Sequence, residues 1–182
     1  IYKEKEYSLS LCGEYQIENS LTAIEAVAAS GFDIPYETVK KALAATFFPA
    51  RAEIISREPL VVLDGAHNPD GADVLSKIMK KYGGRITAVI GMMRDKDYET
   101  VLKRTLPYCK SAVAVTVENM PRSLDGGKLA AAANKYCPCT AAENYDAAIE
   151  SSRLSAGDDP VFVFGSLYLA GGIREKLKKF YS

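Results

Sequence analysis

Apolar residues fall into two rhythms along this chain. Over residues 14–30 they recur at helical spacing, at Ile17, Leu21, Ile24, Val27 and Ala28, until Gly31 stops the run. Pro35 opens a second helix in which Val39, Leu43 and Ala44 share a face. From about Phe48 onward the rhythm changes. Residues 52–56 and 60–63, separated by the polar Arg57-Glu58-Pro59, read as a hairpin. Residues 86–90, 112–117 and 161–164 are unbroken apolar runs rich in Val and Ile. Such runs suit strands buried on both faces of a parallel sheet. Residues 139–142 read as a further short strand. Helical patterns lie between these runs, at roughly 70–82, 98–106, 127–136 and 145–152, and a last one covers 167–180. The alternation predicts an α/β fold: a Rossmann-like, mostly parallel sheet with one antiparallel edge hairpin and helices on both faces. It is expected to occupy residues 48–182. Residues 1–47 carry helices without enough strands to bury them, and read as the stub of a preceding domain plus a linker. The start at Ile1 rather than Met fits a fragment or a processed product.

Composition then narrows the function classes. The 182 residues hold 23 basic and 23 acidic side chains and one His, for zero net charge. A nucleic-acid binder carries a basic excess, and a membrane-surface protein a polybasic segment, so neither partner is expected. The apolar runs are far too short to cross a bilayer. No basic start leads into an apolar signal core, which points to the cytoplasm. Cys12 and Cys109 are isolated, and Cys137-Pro-Cys139 lacks the spacing of a zinc knuckle, so the four cysteines read as ordinary thiols and no metal site is expected.

In open α/β sheets, ligands bind outside the carboxyl ends of the strands. The segments that follow the strands here are polar. They are Asp64-Gly65-Ala66-His67-Asn68-Pro69, Gly91-Met92-Met93-Arg94-Asp95-Lys96-Asp97, Glu118-Asn119-Met120-Pro121-Arg122-Ser123 and Gly165-Ser166. Each has a plain structural reading as well. Asn68-Pro69, Asp97 and Ser166 suit helix caps, and Gly91 and Gly165 suit tight turns. The only His lying at the same sheet edge as carboxylates, cations and a hydroxyl tips the balance toward a site. No phosphate loop of the form G-x-x-x-x-G-K-S/T occurs. Gly126-Gly127-Lys128-Leu129 lacks the first glycine and puts Leu where a hydroxyl would hold magnesium.

The string Asp64-Gly65-Ala66-His67-Asn68-Pro69 after a strand resembles the C-terminal domain of the folylpolyglutamate synthases, including the bifunctional dihydrofolate synthases, within the ATP-dependent Mur ligase superfamily. Further pieces resemble that family in order. Gly13-Glu14-Tyr15-Gln16-Ile17-Glu18-Asn19 resembles its G-x-x-Q-x-x-N helix, and Phe48-Pro49-Ala50-Arg51-Ala52-Glu53 its W-P-G-R-F-E junction. Residues 91–97 resemble its G-x-x-x-D-K-D loop, Pro121-Arg122-Ser123-Leu124 its P-R-A-L segment, and Gly165-Ser166-Leu167-Tyr168-Leu169 its G-S-L-Y-L ending. Ala50 and Ala52 depart from the family's Gly and Phe.

The resemblance implies a ligase that uses ATP to phosphorylate a folate carboxylate and then joins glutamate to it. It implies Arg51, Asp64 and His67 at the nucleotide, with His67 also catalytic. It implies Asn68, Lys96 and Ser166 at the glutamate. Magnesium ligands are expected in a central ATPase domain that this sequence lacks, so the chain alone is expected to be an inactive fragment, and a monomer. Two other readings stand beside this one: the C-terminal domain of a peptidoglycan Mur ligase, and a non-catalytic Rossmann-like binding module. The D-G-A-H-N-P and G-S-L-Y-L strings favour the folate branch.

Overall fold

The Val- and Ile-rich runs assemble edge to edge because each can be buried on both sides. In a computed structural model, which describes residues 1–182, they form one six-stranded sheet. The strands are β1 (Glu53–Arg57), β2 (Leu60–Leu63), β3 (Ile86–Ile90), β4 (Cys109–Val115), β5 (Cys139–Ala142) and β6 (Val161–Phe164). Their order is β1-β2-β6-β3-β4-β5. β1 pairs antiparallel with β2, and every other neighbouring pair is parallel. The expected hairpin and mixed, mostly parallel sheet are both present. The chain divides into two compact units, Ile1–Arg51 and Ala52–Ser182. The first holds α1 (Tyr15–Ala29) and α2 (Tyr36–Ala45) and no named strand. Arg51, the last residue of the first unit, lies over the rings of Tyr15 and Phe48, at 5.8 Å and 6.0 Å from their centroids.

The second unit carries α3 (Pro69–Met79), α4 (Tyr98–Thr105), α5 (Gly126–Ala133), α6 (Tyr145–Ala156) and α7 (Leu167–Phe180). Each starts on a side-chain cap. Asn68, Asp97, Asp125, Asn144 and Ser166 accept hydrogen bonds from Gly71, Thr100, Lys128, Ala147 and Tyr168 N–H groups respectively. The strand alternation sorts the helices onto the two faces. Val62, Ala88, Ile90, Ala112, Ala114, Phe162 and Phe164 pack in one cluster with Leu75 and Met79 of α3, Leu102 of α4 and Leu129 of α5. The intervening Val61, Leu63, Val89, Val113, Val163 and their neighbours are equally buried, with α6 and α7 against the sheet.

Several boundaries differ from the sequence pattern. β4 begins at Cys109, because Lys110 is accommodated by Asp159 at 2.9 Å and the Ala156 carbonyl at 3.0 Å. It ends at Val115, because the Val117 N–H turns to the Ser123 hydroxyl at 2.7 Å. α5 stops at Ala133, because Asn134 turns back on Cys139, accepting from its N–H at 2.9 Å and donating to its carbonyl at 2.8 Å. The thiols of Cys109, Cys137 and Cys139 are buried, whereas Cys12 is exposed. Burial pushes Cys137 up to about 11 and Cys139 up to about 12, and raises Cys109 as well. No helix is long and apolar enough to cross a membrane.

One ion pair fastens the end of this unit to its beginning. Arg174 of α7 grips Glu53 of β1 with Nε at 3.0 and 2.9 Å from the two carboxylate oxygens and Nη2 at 2.7 Å. The side chains are only 20% and 6% exposed. Removing one partner of a buried pair strands the other, at a cost of about 3–5 kcal/mol. Glu53→Gln is therefore expected to destabilise the chain by about 3 kcal/mol in urea titrations. Replacing both partners together, by Glu53→Leu with Arg174→Met, is expected to cost less than either single change. α7 supplies a second test. A Cβ at Gly172 would lie 2.7 Å from Cε2 of the buried Tyr145 ring, whereas one at Gly171 meets nothing within 4 Å. Gly172→Ala should destabilise by about 1–3 kcal/mol through overpacking. Gly171→Ala should stabilise by about 0.5–1 kcal/mol through helix propensity. Thermal melts of the two variants should move in opposite directions.

Candidate functional site

The topology opens a crevice on the carboxyl edge beside β6. β6 lies between β2 and β3. The chain leaves β2 and β3 toward the face holding α3 and α4, but leaves β6 toward the opposite face with α7. Helices diverging from adjacent strands leave a gap between their first turns, which is where open α/β sheets take ligands. The gap needs bare backbone at its floor. Gly165 has φ +120°, and a Cβ there would lie 2.5 Å from Met92 Sδ and 2.8 Å from the Gly91 carbonyl oxygen.

The loop after β2 is organised by its own side chains. Asp64 accepts from the Ala52 N–H at 2.7 Å and the Ala66 N–H at 2.8 Å. Both carboxylate oxygens are thus engaged by backbone, binding the start of β1 to the end of β2. The resemblance implies Asp64 at the nucleotide; the structure shows it fastening these two backbone segments. Asn68 spends its side-chain oxygen on the Gly71 N–H at 2.8 Å. His67 lies between them, with Nδ1 2.8 Å from the Gly65 carbonyl. A carbonyl only accepts, so Nδ1 carries a proton, and in the neutral ring Nε2 is the basic nitrogen.

The loops after β3 and β4 are zipped together. The Leu124 N–H donates to Met92 O at 2.8 Å, the Arg94 N–H to Arg122 O at 2.9 Å, and Met93 forms an isolated bridge with Ser123. Lys96 and Arg122 therefore stand on constrained backbone, both exposed at the rim. Arg122 Nη1 donates to Asp95 Oδ2 at 3.0 Å. Asp97 caps α4 with its Oδ1 on the Thr100 N–H, and hydrogen bonding with the Thr100 side chain, then with its backbone, holds the carboxyl below the usual range. After β6, Ser166 is 2% exposed, and its hydroxyl accepts from the Tyr168 N–H at 3.0 Å. The same hydroxyl keeps its own proton to donate.

These loops enclose a cavity of about 160 Å³. Its polar lining is His67, Lys96, Arg122 and Ser166, and its apolar lining is Met93, Leu167 and Tyr168. Pockets for drug-sized ligands run to about 300–1,000 Å³, so this volume suits a small polar molecule. Three of the residues singled out from sequence, His67, Lys96 and Ser166, are brought together here. Asn68 is adjacent in sequence but does not line the cavity, and neither do Asp64 and Arg51. Arg51 belongs to the helical unit, where its neighbours Ala50 and, across the division, Ala52 both have positive φ, at 56° and 47°. Ala50 stands where the W-P-G-R-F-E pattern has Gly, the residue that adopts this conformation without strain. The sequence reading missed Arg122 as a lining residue. The signal was present, since Arg122 follows a strand as Lys96 does.

Comparison with known proteins agrees with the fold and the motifs. Residues 50–167 match the family model described as Mur ligase, glutamate ligase domain. The chain is 33% identical over 178 residues to the folylpolyglutamate synthase of Lacticaseibacillus casei, covering 94% of this chain and 40% of that one. It is 31% identical to the dihydrofolate synthase/folylpolyglutamate synthase of Escherichia coli K12, over 86% of this chain and 37% of that one. Its structure superposes on Mycobacterium tuberculosis folylpolyglutamate synthase complexed with ADP with a TM-score of 0.85 and 28% identity, over 95% of this chain and 42% of that one. The chain spans about two fifths of the length of the curated relatives it matches. With the matching segment covering the sheet and the four polar residues of the cavity, the chain belongs to the Mur ligase family, as a glutamate ligase domain.

Proposed function

We propose that this chain is the C-terminal part of an ATP-dependent ligase that adds glutamate to a folate, and that the cavity holds the incoming glutamate. The observation that carries the proposal is the convergence of His67, Lys96 and Ser166, from three separate loops, on one cavity sized for a small polar molecule. Lys96 supplies a point charge for the α-carboxylate, and Ser166 supplies an O–H donor at the first turn of α7, where the helix dipole also favours an anion. Asn68 orients the neighbouring His67 by fixing the start of α3.

The chemistry follows from those positions. ATP converts a folate carboxylate to an acyl phosphate. The amine of glutamate then attacks the acyl carbon, the new C–N bond forms, the C–O bond to phosphate breaks, and phosphate leaves. A bound amino acid arrives as an ammonium, which has no lone pair. His67 Nε2, left basic by the Nδ1 contact to Gly65, accepts that proton. Arg51 serves the phosphate oxygens through its guanidinium, and Asp64 stands at the nucleotide with its carboxylate. No group of three or more His, Cys, Asp or Glu side chains in the chain is arranged to hold a metal ion. We assign the metal, with the phosphate loop, to a preceding ATPase domain, and the enzyme to the cytoplasm.

Two measurements test this. The chain alone, given ATP, magnesium, a folate and glutamate, should form no folyl-glutamate, because phosphoryl transfer depends on cations positioned around the phosphates. In the intact ligase, Lys96→Ala should raise the apparent glutamate constant about tenfold or more and leave ATP dependence near normal. A Ser166 that only caps α7 would lower the melting point by the equivalent of about 1 kcal/mol and leave the glutamate constant alone. Unchanged glutamate dependence in both Lys96→Ala and Ser166→Ala, with every defect explained by melting, would falsify the pocket assignment.

A further inference from the structure

The first turn of α3 follows directly on His67 and Asn68, yet the core does little to place it. The buried residues of α3 are Ala72, Leu75 and Met79, all beyond the first three positions of the helix. Pro69 has no N–H to bond, and Asp70 is exposed. From within the loop, Asn68 caps the turn. From outside, a side chain of α4 grips it. Arg104 reaches across with Nη1, which donates to the Pro69 carbonyl at 2.9 Å and to the Asp73 carboxylate. Pro69 and Asp73 stand four residues apart on one face of the helix, so the guanidinium spans that turn. After the Thr100 hydrogen bonds, the same positive charge helps to hold the Asp97 carboxyl below its usual range, which puts the guanidinium near the start of α4 as well. Arg104 thus lies between the starts of the two helices that follow the His67 loop and the Lys96 loop. Its ion pair with Asp73 is 36% and 54% exposed, and a pair that open adds little stability. Its contact with the carbonyl of a helical turn sets geometry instead.

We infer that Arg104 is a positioning residue: by fixing the first turn of α3 against α4, it keeps the His67 ring on the Gly65 carbonyl, at the wall of the cavity. Its consequence for the reaction rests on the reading of His67 as the base. Arg104 does not line the cavity and touches no reacting atom. It acts through the backbone of residues 67–69, because a shift of Pro69 carries the Asn68–Pro69 peptide with it and turns the ring two residues back. With the turn released, the contact between Nδ1 and the Gly65 carbonyl loosens. The ring proton is then free to move to Nε2, the nitrogen that must stay bare to accept from the ammonium. Arg104 and Pro69 are 35 residues apart, so no local sequence pattern signals the link.

His67 is the only histidine, so its imidazole signals need no sorting. The test is ¹⁵N NMR of the histidine-labelled chain at about pH 9, above the ordinary titration range of imidazole. The wild-type chain should show a protonated Nδ1 and a bare Nε2. Arg104→Met should draw the two signals together, toward the average of a ring that exchanges between both tautomers. Arg104→Lys, which returns the charge and a donor, should restore most of the separation. Asp73→Asn, at an exposed position, should move the signals part of the way, and it keeps the test open if Arg104→Met fails to fold. Lys110→Met is the control. Lys110 likewise binds one carbonyl and one carboxylate, those of Ala156 and Asp159, but at the amino end of β4. Its loss should leave the His67 signals in place, whatever it does to the melting point. In the intact ligase, Arg104→Met should lower kcat about tenfold or more and leave the glutamate constant near normal, because Lys96 and Ser166 are untouched. Unmoved His67 signals in the folded Arg104 and Asp73 variants, equal movement in Lys110→Met, or a wild-type ring protonated at Nε2 would overturn the assignment. Moved signals with an unchanged kcat leave Arg104 as the positioning residue and remove His67 as the base.

Discussion

Everything at the carboxyl edge depends on two backbones meeting where β3 and β6 end. β6 was the last strand to be made, yet it sits between β2 and β3. The polypeptide leaving it must pass beside the polypeptide leaving β3 before the two diverge to opposite faces. Gly91 and Gly165 lie at that meeting. A side chain at Gly165 would collide with Met92 and the Gly91 carbonyl, and one at Gly91 would come within 3.1 Å of the Val115 carbonyl. The absence of two β-carbons lets α7 begin next to the loop that carries Lys96. Without it, Ser166 and Lys96 would belong to separate surfaces. Here the glycines are more informative about the site than several of its charged residues.

The architecture was legible because it rests on strong, local signals. Unbroken Val and Ile runs mark buried strands, and helical spacing between them marks the crossovers. The edges of elements were less legible because tertiary contacts decide them. Lys110 joins a strand through Asp159, which is 49 residues away. The site was half legible for a different reason. Cap chemistry and ligand chemistry use the same residues, so sequence alone does not separate Asn68, which spends its oxygen on Gly71, from Ser166, which caps and still donates. Asp64 shows the same ambiguity, with both oxygens engaged by backbone N–H groups in a residue that the resemblance places at the nucleotide. Arg122 was hidden because its relation to Lys96 exists only once two loops are zipped together.

The Glu53–Arg174 pair gives the Rossmann-like unit its closure. It spans 121 residues of sequence, from the first strand to the last helix. A contact of that range forms only when the intervening sheet is already in order, so it reports completion of the unit rather than guiding its start. It also ties α7, whose first turn borders the cavity, to the antiparallel hairpin on the far edge of the sheet. The helix is thus held at its carboxyl half by charge, along its middle by the fit of Gly172 against Tyr145, and at its start by the Ser166 cap.

The distribution of thiols has a practical side. Only thiolates react readily with alkylating reagents. Cys109, Cys137 and Cys139 are buried in the sheet unit and stay protonated well above neutral pH, whereas Cys12 is exposed in the helical unit. A maleimide dye added under native conditions would therefore mark one defined position without any engineering. The natural sequence carries a single spectroscopic handle on the smaller unit.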